Sequence, residues 1–226
     1  MFIPYKDDNP RILIPYVTWG ILTINILVFM WQWFSFFDEP THAALSFGTI
    51  PALLTGYSHP VDMSFPVIPP FLTLFTSMFM HAGVAHLLGN MLFLYIFADN
   101  VESILGHRKF LVFYLACGVA ATLLQVATDP HSFLPIVGAS GAISGVMAAY
   151  LLKYPKARIH VLVLVFPVII PAGFVVGIWI LSQVLNGLSD INRTGGGVAW
   201  FAHIGGFLAG AILSVLISNS KFRWRA

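Results

Sequence analysis

Charge is what this chain has least of. Only 9% of its 226 residues are Asp, Glu, Lys or Arg, where a soluble domain carries about 25%. No Lys or Arg occurs between Arg11 and Arg108. Apart from the proline-broken 40–61, six long stretches hold none of the four: 12–37, 63–98, 110–128, 130–152, 159–189 and 194–220. Cysteine is nearly absent as well. Cys117 stands alone in an apolar run, so no intramolecular disulfide can form. A net charge of +2 gives no basic surface for a nucleic-acid partner. Met1–Pro10 mixes acidic and basic residues without a positive n-region and cleavage site, so no signal peptide is read there. No soluble domain, internal repeat or low-complexity segment is visible.

What is present is apolar. Hydrophobic residues make up 58% of the chain and the mean hydropathy is +0.85. A spanning helix needs about 20 apolar residues, and each of the six stretches can supply one. The expected fold is therefore an all-α polytopic membrane protein of six spans. The membrane domain covers 12–220, between a short N-terminal segment, 1–11, and a basic tail, 221–226. Ten of the eleven basic residues fall on one side (Lys6, Arg11, Arg108, Lys109, Lys153, Lys156, Arg158, Lys221, Arg223, Arg225), and only Arg193 on the other. The positive-inside rule then puts both termini in the cytoplasm.

The first span is expected at Ile12–Phe34, with Trp31 and Trp33 as interfacial anchors. A long outer loop follows, roughly 37–70, with Asp38, Glu39 and six prolines (Pro40, Pro51, Pro60, Pro66, Pro69, Pro70). So apolar a loop is expected to lie on or partly in the membrane. Phe71–Met80 is expected as an outer helix or re-entrant piece, Val84–Ala98 as the second span and Phe110–Thr128 as the third. The fourth ends before Lys153. The fifth is expected near Val161–Leu185, bent or loosened by Pro167 and Pro171. The sixth runs from about Val198 to Ser218.

Against this background the polar residues inside spans stand out: His81, His86, Asn90, Ser140 and His203. Such residues are functional candidates by default. Helical rise sets their depth. Ser140 lies ~20 Å from the inner end of the fourth helix, His86 a similar ~20 Å from that of the second, and His203 ~8 Å below the outer end of the sixth. In a core about 30 Å thick these three meet at one level. The segment before Ser140 must therefore dip inward, which is tolerated only where it lines a cavity or is buried in protein. Gly141 and Gly145 on the fourth span and Gly206 and Gly210 on the sixth give small faces that let two backbones approach. His203, Gly206 and Gly210 share one helical face, as do His86 and Asn90.

Serine is a weak nucleophile until a base takes its proton, and a neutral histidine can do so. Ser140 and His203 thus form a candidate Ser–His dyad. The Ser140 backbone N–H at a helix N-terminus, the His86 imidazole and the Asn90 amide are candidate donors to an oxyanion. No acidic residue lies at this depth to complete a triad. Taken singly, each of these residues also fits plain helix packing; their shared depth and faces favour chemistry.

The same residues resemble the rhomboid family of intramembrane serine proteases. The likeness rests on His81, His86 and Asn90 on the second span, Gly138-Ala139-Ser140-Gly141 opening the fourth, and Ala202-His203-Ile204-Gly205-Gly206 with Gly210 on the sixth. Phe97–Glu102 through Gly106 resembles the family's segment after the second span. The resemblance covers roughly 70–215. It implies a six-helix core that hydrolyses peptide bonds in or near the membrane segments of other proteins, without cofactor or metal. Ser140 would be the nucleophile, His203 the base, and His86, Asn90 and the Ser140 backbone the oxyanion hole. His81 would be an outer structural partner and Glu102 a structural residue near the inner helix ends. The family's lateral-entry picture makes the fifth span and the outer loop a gate.

Two features depart from the family pattern. Some members hold the outer loop with a Trp-Arg pair, and no Arg is present there. Some stack the histidine on an aromatic one turn after the serine, where this chain has Ser144. Three rival readings stay open. A small transporter would use the dipping 130–141 loop as a broken-helix site. A non-catalytic relative would bind and chaperone membrane proteins. A metalloprotease would need His81, His86 and His203 as ligands, but the first two are five apart and no His-Glu-x-x-His exists. Oligomeric state and substrate are not encoded legibly. The minimal core points to a bacterial plasma membrane.

Overall fold

Each of these six uncharged stretches supplies a helix, and the one that begins at Ser140 sits at the centre. A computed structural model describes residues 2–10, 12–36, 40–57, 68–190 and 197–217. A strand β1 (Phe2–Asp7) precedes helix α1 (Tyr16–Ser35); α2 (Pro40–Phe47), α3 (Pro51–Leu54) and α4 (Pro70–Thr76) follow, the last extended by a 3-10 turn at Ser77–Phe79. Then come α5 (Val84–Leu105), α6 (His107–Thr128), α7 (Ser140–Lys153), strands β2 (Arg158–Val163) and β3 (Phe166–Pro171), α8 (Ala172–Asp190) and α9 (Trp200–Ile217). Among the described residues five helices, α1, α5, α6, α8 and α9, are long and apolar enough to cross a membrane. This is a polytopic helical membrane protein. Arg11, Asp38, Glu39, Pro60, Pro66, Arg193, Lys221, Arg223 and Arg225, and with them part of the outer loop and of the charge asymmetry, lie outside the described residues.

Helix α7 has only 14 residues and starts at Ser140. At ~1.5 Å per residue it reaches about 21 Å, short of the roughly 30 Å of hydrocarbon, so it begins part-way down. It is buried on every side from Gly141 to Tyr150. Small residues make that possible. A side chain at Gly206 would collide with the Gly141 carbonyl, and one at Gly210 with the Gly145 backbone. Helices α7 and α9 therefore touch backbone to backbone at two levels a turn apart. Gly206→Val is expected to cost about 3 kcal/mol, because the overlapping atom is a carbonyl that cannot swing away. Gly20→Ala, whose Cβ would meet open space, should leave thermal unfolding in detergent nearly unchanged. Equal melting temperatures for the two variants would contradict the packing argument.

At the end of the bundle that carries Lys109 and Lys153, a buried carboxylate ties three helices. Glu102 of α5 accepts from the backbone N–H of Val17 (3.0 Å) and Thr18 (2.8 Å) and from the Thr18 hydroxyl (2.6 Å). These are first-turn N–H groups of α1, which have no partner within the helix and favour an anion. His107, the first residue of α6, lies 2.6 Å from the same carboxylate.

At the opposite end, the outer loop is sewn to the segment before Ser140. Thr49 and Ile136 exchange backbone bonds of 3.0 and 2.8 Å. The Thr55 hydroxyl donates to the Pro130 carbonyl at 2.8 Å, Thr49 to Thr73 at 2.9 Å and Thr76 to Phe47 at 2.6 Å. Gln32 brackets His81, donating to its carbonyl and accepting from its N–H. Threonine hydroxyls and main-chain pairs thus hold this loop where some rhomboids use a Trp-Arg pair.

Two expectations need correction. The fifth span does not begin near Val161. Residues 158–171 form an antiparallel hairpin, β2–β3, and β1 adds to it in the order β1-β2-β3. Pro167 and Pro171 stand in β3, before α8 starts at Ala172. They neither bend nor loosen a helix, and the gating argument built on them falls. The chain is accordingly not purely helical. The physical reason is that an apolar run without charge reads alike for a buried strand and a helix; β-branched Val and Ile framed by prolines decide for the strand. One face of β2, through Ile159 and Val161, packs into the core. On the other side, a hydrogen bond from His160 and the nearby Arg158 and Lys6 charges hold the Asp8 carboxyl below its ordinary range.

Candidate active site

Gly138 has φ +119°, a conformation that only glycine adopts without strain. Its N–H donates to the Ser77 carbonyl at 2.8 Å, which fixes the loop before α7. Ser140 is the first residue of that helix, so its backbone N–H is one of those without an intrahelical acceptor. Its side chain donates to His203 Nε2 at 2.7 Å. The two residues are 63 apart in sequence and are joined by the glycine contact between α7 and α9.

His203 is nearly buried, and three residues of α8 and α9 fix its ring. Its Nδ1 lies 2.7 Å from Gln183 Oε1. The Gln183 amide is oriented in turn: its Nε2 donates to the Ser182 hydroxyl (2.9 Å) and to the Trp179 carbonyl (3.2 Å), which leaves Oε1 as the end facing the imidazole. An amide oxygen only accepts, so the proton sits on Nδ1 and the Nε2 lone pair faces Ser140. The Trp179 ring lies alongside at 5.7 Å and Trp200 meets the imidazole edge-on at 6.3 Å. Trp200 is itself held by a 2.6 Å bond from its indole N–H to Asp190. Ser144, one turn after Ser140, is fully buried and donates to the Ser140 carbonyl at 2.6 Å. The histidine is oriented from α8 instead of from α7.

His86 approaches from α5. A Cβ placed on Gly138 would stand 2.8 Å from His86 Nε2 and Cε1, so the ring lies against the glycine that precedes Ser140 by two residues. The Ala82 N–H points at His86 Nδ1 (3.3 Å), which makes Nδ1 the acceptor and Nε2 the N–H donor. Asn90, one turn further on, donates one amide hydrogen to the His86 carbonyl at 2.9 Å and keeps a second. His81 packs edge-on against His86 at 5.1 Å, outside this arrangement. A narrow cleft adjoins Ser140, lined among others by Gly118, Ala121, Ala142 and Met78. Among the described residues no three His, Cys, Asp or Glu side chains converge as metal ligands.

The sequence signature described as the rhomboid domain matches residues 70–220 of this chain. The chain belongs to the rhomboid family. It is 32% identical over 152 residues to the putative rhomboid protease YdcA of Bacillus subtilis (strain 168), covering 67% of this rhomboid and 69% of that protein. It is 34% identical over 141 residues to the mitochondrial presenilin-associated rhomboid-like protein A of Danio rerio, covering 59% of this chain and 34% of that one. With the mitochondrial RHOMBOID-like protein 12 of Arabidopsis thaliana the identity is 27% over 168 residues, 67% and 48% of the two chains. This rhomboid thus spans about a third to a half of those two mitochondrial relatives.

The structure brings Ser140, His203, His86 and Gly138 together and places Asn90 beside them. Gly141, Gly206 and Gly210 supply the close helix contact, and His81 stands at the periphery. Gln183, Trp179 and Trp200 are the residues that sequence reasoning missed in this rhomboid. The signal for Gln183 was present: it is a polar side chain inside an uncharged stretch, four residues after Trp179 on one helical face.

Proposed function

We propose that this rhomboid is an intramembrane serine endopeptidase acting on membrane segments of other proteins. The observation that carries the reading is the 2.7 Å Ser140–His203 bond, with the far side of the imidazole fixed on Gln183. His203 Nε2 takes the hydroxyl proton as Ser140 Oγ attacks the scissile carbonyl carbon. The carbonyl π-electrons move to oxygen, and the oxyanion meets the Ser140 N–H, His86 Nε2–H and the second Asn90 amide hydrogen. The C–N bond breaks as His203 returns the proton to the leaving amine. Water, deprotonated by His203, then attacks the acyl-serine, and Ser140 Oγ leaves with the proton. Gln183 is a positioning residue here: it holds the tautomer and does not touch the reacting atoms. The small residues around the cleft favour a small side chain at the cleaved bond.

A bacterial plasma membrane, with both termini cytoplasmic, is our reading of its location. The similarity to the Bacillus protein over most of both chains supports it. The test of the activity is labelling by a serine-reactive fluorophosphonate, run beside cleavage of a single-span substrate in liposomes. Wild type is expected to label and cleave, and Ser140→Ala to do neither. Folded wild-type protein that does neither would overturn the proposal and move a binding or transport role ahead.

A further inference from the structure

The β2–β3 hairpin carries a second feature, unconnected with catalysis. From Val161 to Pro171 no side chain is polar. Val163 pairs with Phe166, so the turn has two residues, Leu164 and Val165. Such turns favour Asn, Asp or Gly, because φ must be positive. Here Leu164 takes φ +58°, a conformation that a bulky side chain rarely adopts. The tip is also the most exposed apolar group of the sheet: Leu164 is 63% exposed, Val165 78% and Phe166 67%. Strand β3 forms one edge of the sheet, and Val168 and Ile169 expose opposite faces of it. An apolar, exposed edge in water is an aggregation site, so this surface has to be covered.

We propose that the hairpin tip is buried in the headgroup–acyl boundary of the same bilayer that α8 crosses. Three observations favour lipid over protein. The hairpin is tethered at the bundle's edge, between the end of α7 and the start of α8. Its apolar surface runs on into the exposed stripe of α8, Phe174, Ile178, Leu181 and Leu185, which in a spanning helix is the lipid-facing side. Lys156 stands at its base, where it meets anionic headgroups, beside Arg158, which is paired with Asp8 at 3.6 Å. The tip alone is too small for a stable protein interface. Pro167 and Pro171 remove two N–H donors from β3, which suits an edge near lipid and discourages pairing with another strand. The sheet lies in the boundary and does not cross, because an open edge is not tolerated in hydrocarbon.

The test uses the full chain in liposomes containing anionic lipid. A nitroxide is placed at Val165→Cys and, separately, at Phe166→Cys, with Lys156→Cys as the reference at the base. The native Cys117 is buried and will not compete for the label. Collision with oxygen, concentrated in lipid, is compared with collision with a water-soluble nickel chelate. The expected result is a several-fold excess of oxygen over nickel at both tip positions, reversed at Lys156→Cys. Nickel access at the tip equal to that at the base would overturn the proposal, since the tip would be in water. Low access to both reagents would overturn it as well, in favour of a second copy or a partner protein. None of these readings depends on proteolysis.

Discussion

His203→Ala is expected to lower kcat/KM by about 10²–10⁴-fold, the range of general acid–base catalysis. Labelling of Ser140 by a fluorophosphonate should slow in parallel, because the same base activates the hydroxyl in both reactions. The variant also leaves the Gln183 oxygen and the Ser140 hydroxyl without their 2.7 Å partner. That costs stability too, about 1–3 kcal/mol, so melting has to be measured alongside. A double Ser140→Ala/His203→Ala variant should be no slower than the worse single variant, since the two residues act as one unit. Additive losses, or unchanged labelling in His203→Ala, would remove the histidine from the base's role.

Gln183→Leu should reduce kcat by about 10–100-fold while leaving KM nearly unchanged. The reason lies in the proton on Nδ1. Without an acceptor there the imidazole can take the other tautomer, which presents N–H to Ser140 and cannot accept its proton. The expected loss matches a hydrogen bond worth about 1.5–3 kcal/mol to a group that becomes charged in the transition state. Gln183→Glu keeps an oxygen at the same reach and should restore much of the rate. If the leucine variant loses nothing, or the glutamate variant is as slow as the leucine one, the amide only fills space. Comparing kcat with KM separates these cases, because a packing defect in α8 would disturb both.

Much of this site was legible for one physical reason: polar groups and glycines are costly in lipid. Ser140, His86 and His203 stood out as such groups, and helical rise alone put them at one depth. The glycine spacing then announced the contact between α7 and α9 that closes the distance. Gln183 is equally polar but cannot titrate, and its role emerges only when α8 is folded against α9. The outer loop's stitching is illegible for a similar reason. Thr49, Thr55 and Thr76 are ordinary residues whose hydroxyls find carbonyls far off in sequence. The hairpin was lost because hydropathy measures burial, not conformation. An uncharged stretch of 31 residues, 159–189, holds both a helix and two strands.

The placement of Gln183 on α8 has one more consequence. The proposed nucleophile sits on α7 and its proposed base on α9, and these two helices are locked through glycine backbones. The group that sets the base's proton belongs to neither. Any outward swing of α8 therefore withdraws the Gln183 oxygen while Ser140 and His203 stay in place. On the proposed mechanism this is an interlock: the Ser140–His203 pair is at full strength only while the neighbouring helix is shut.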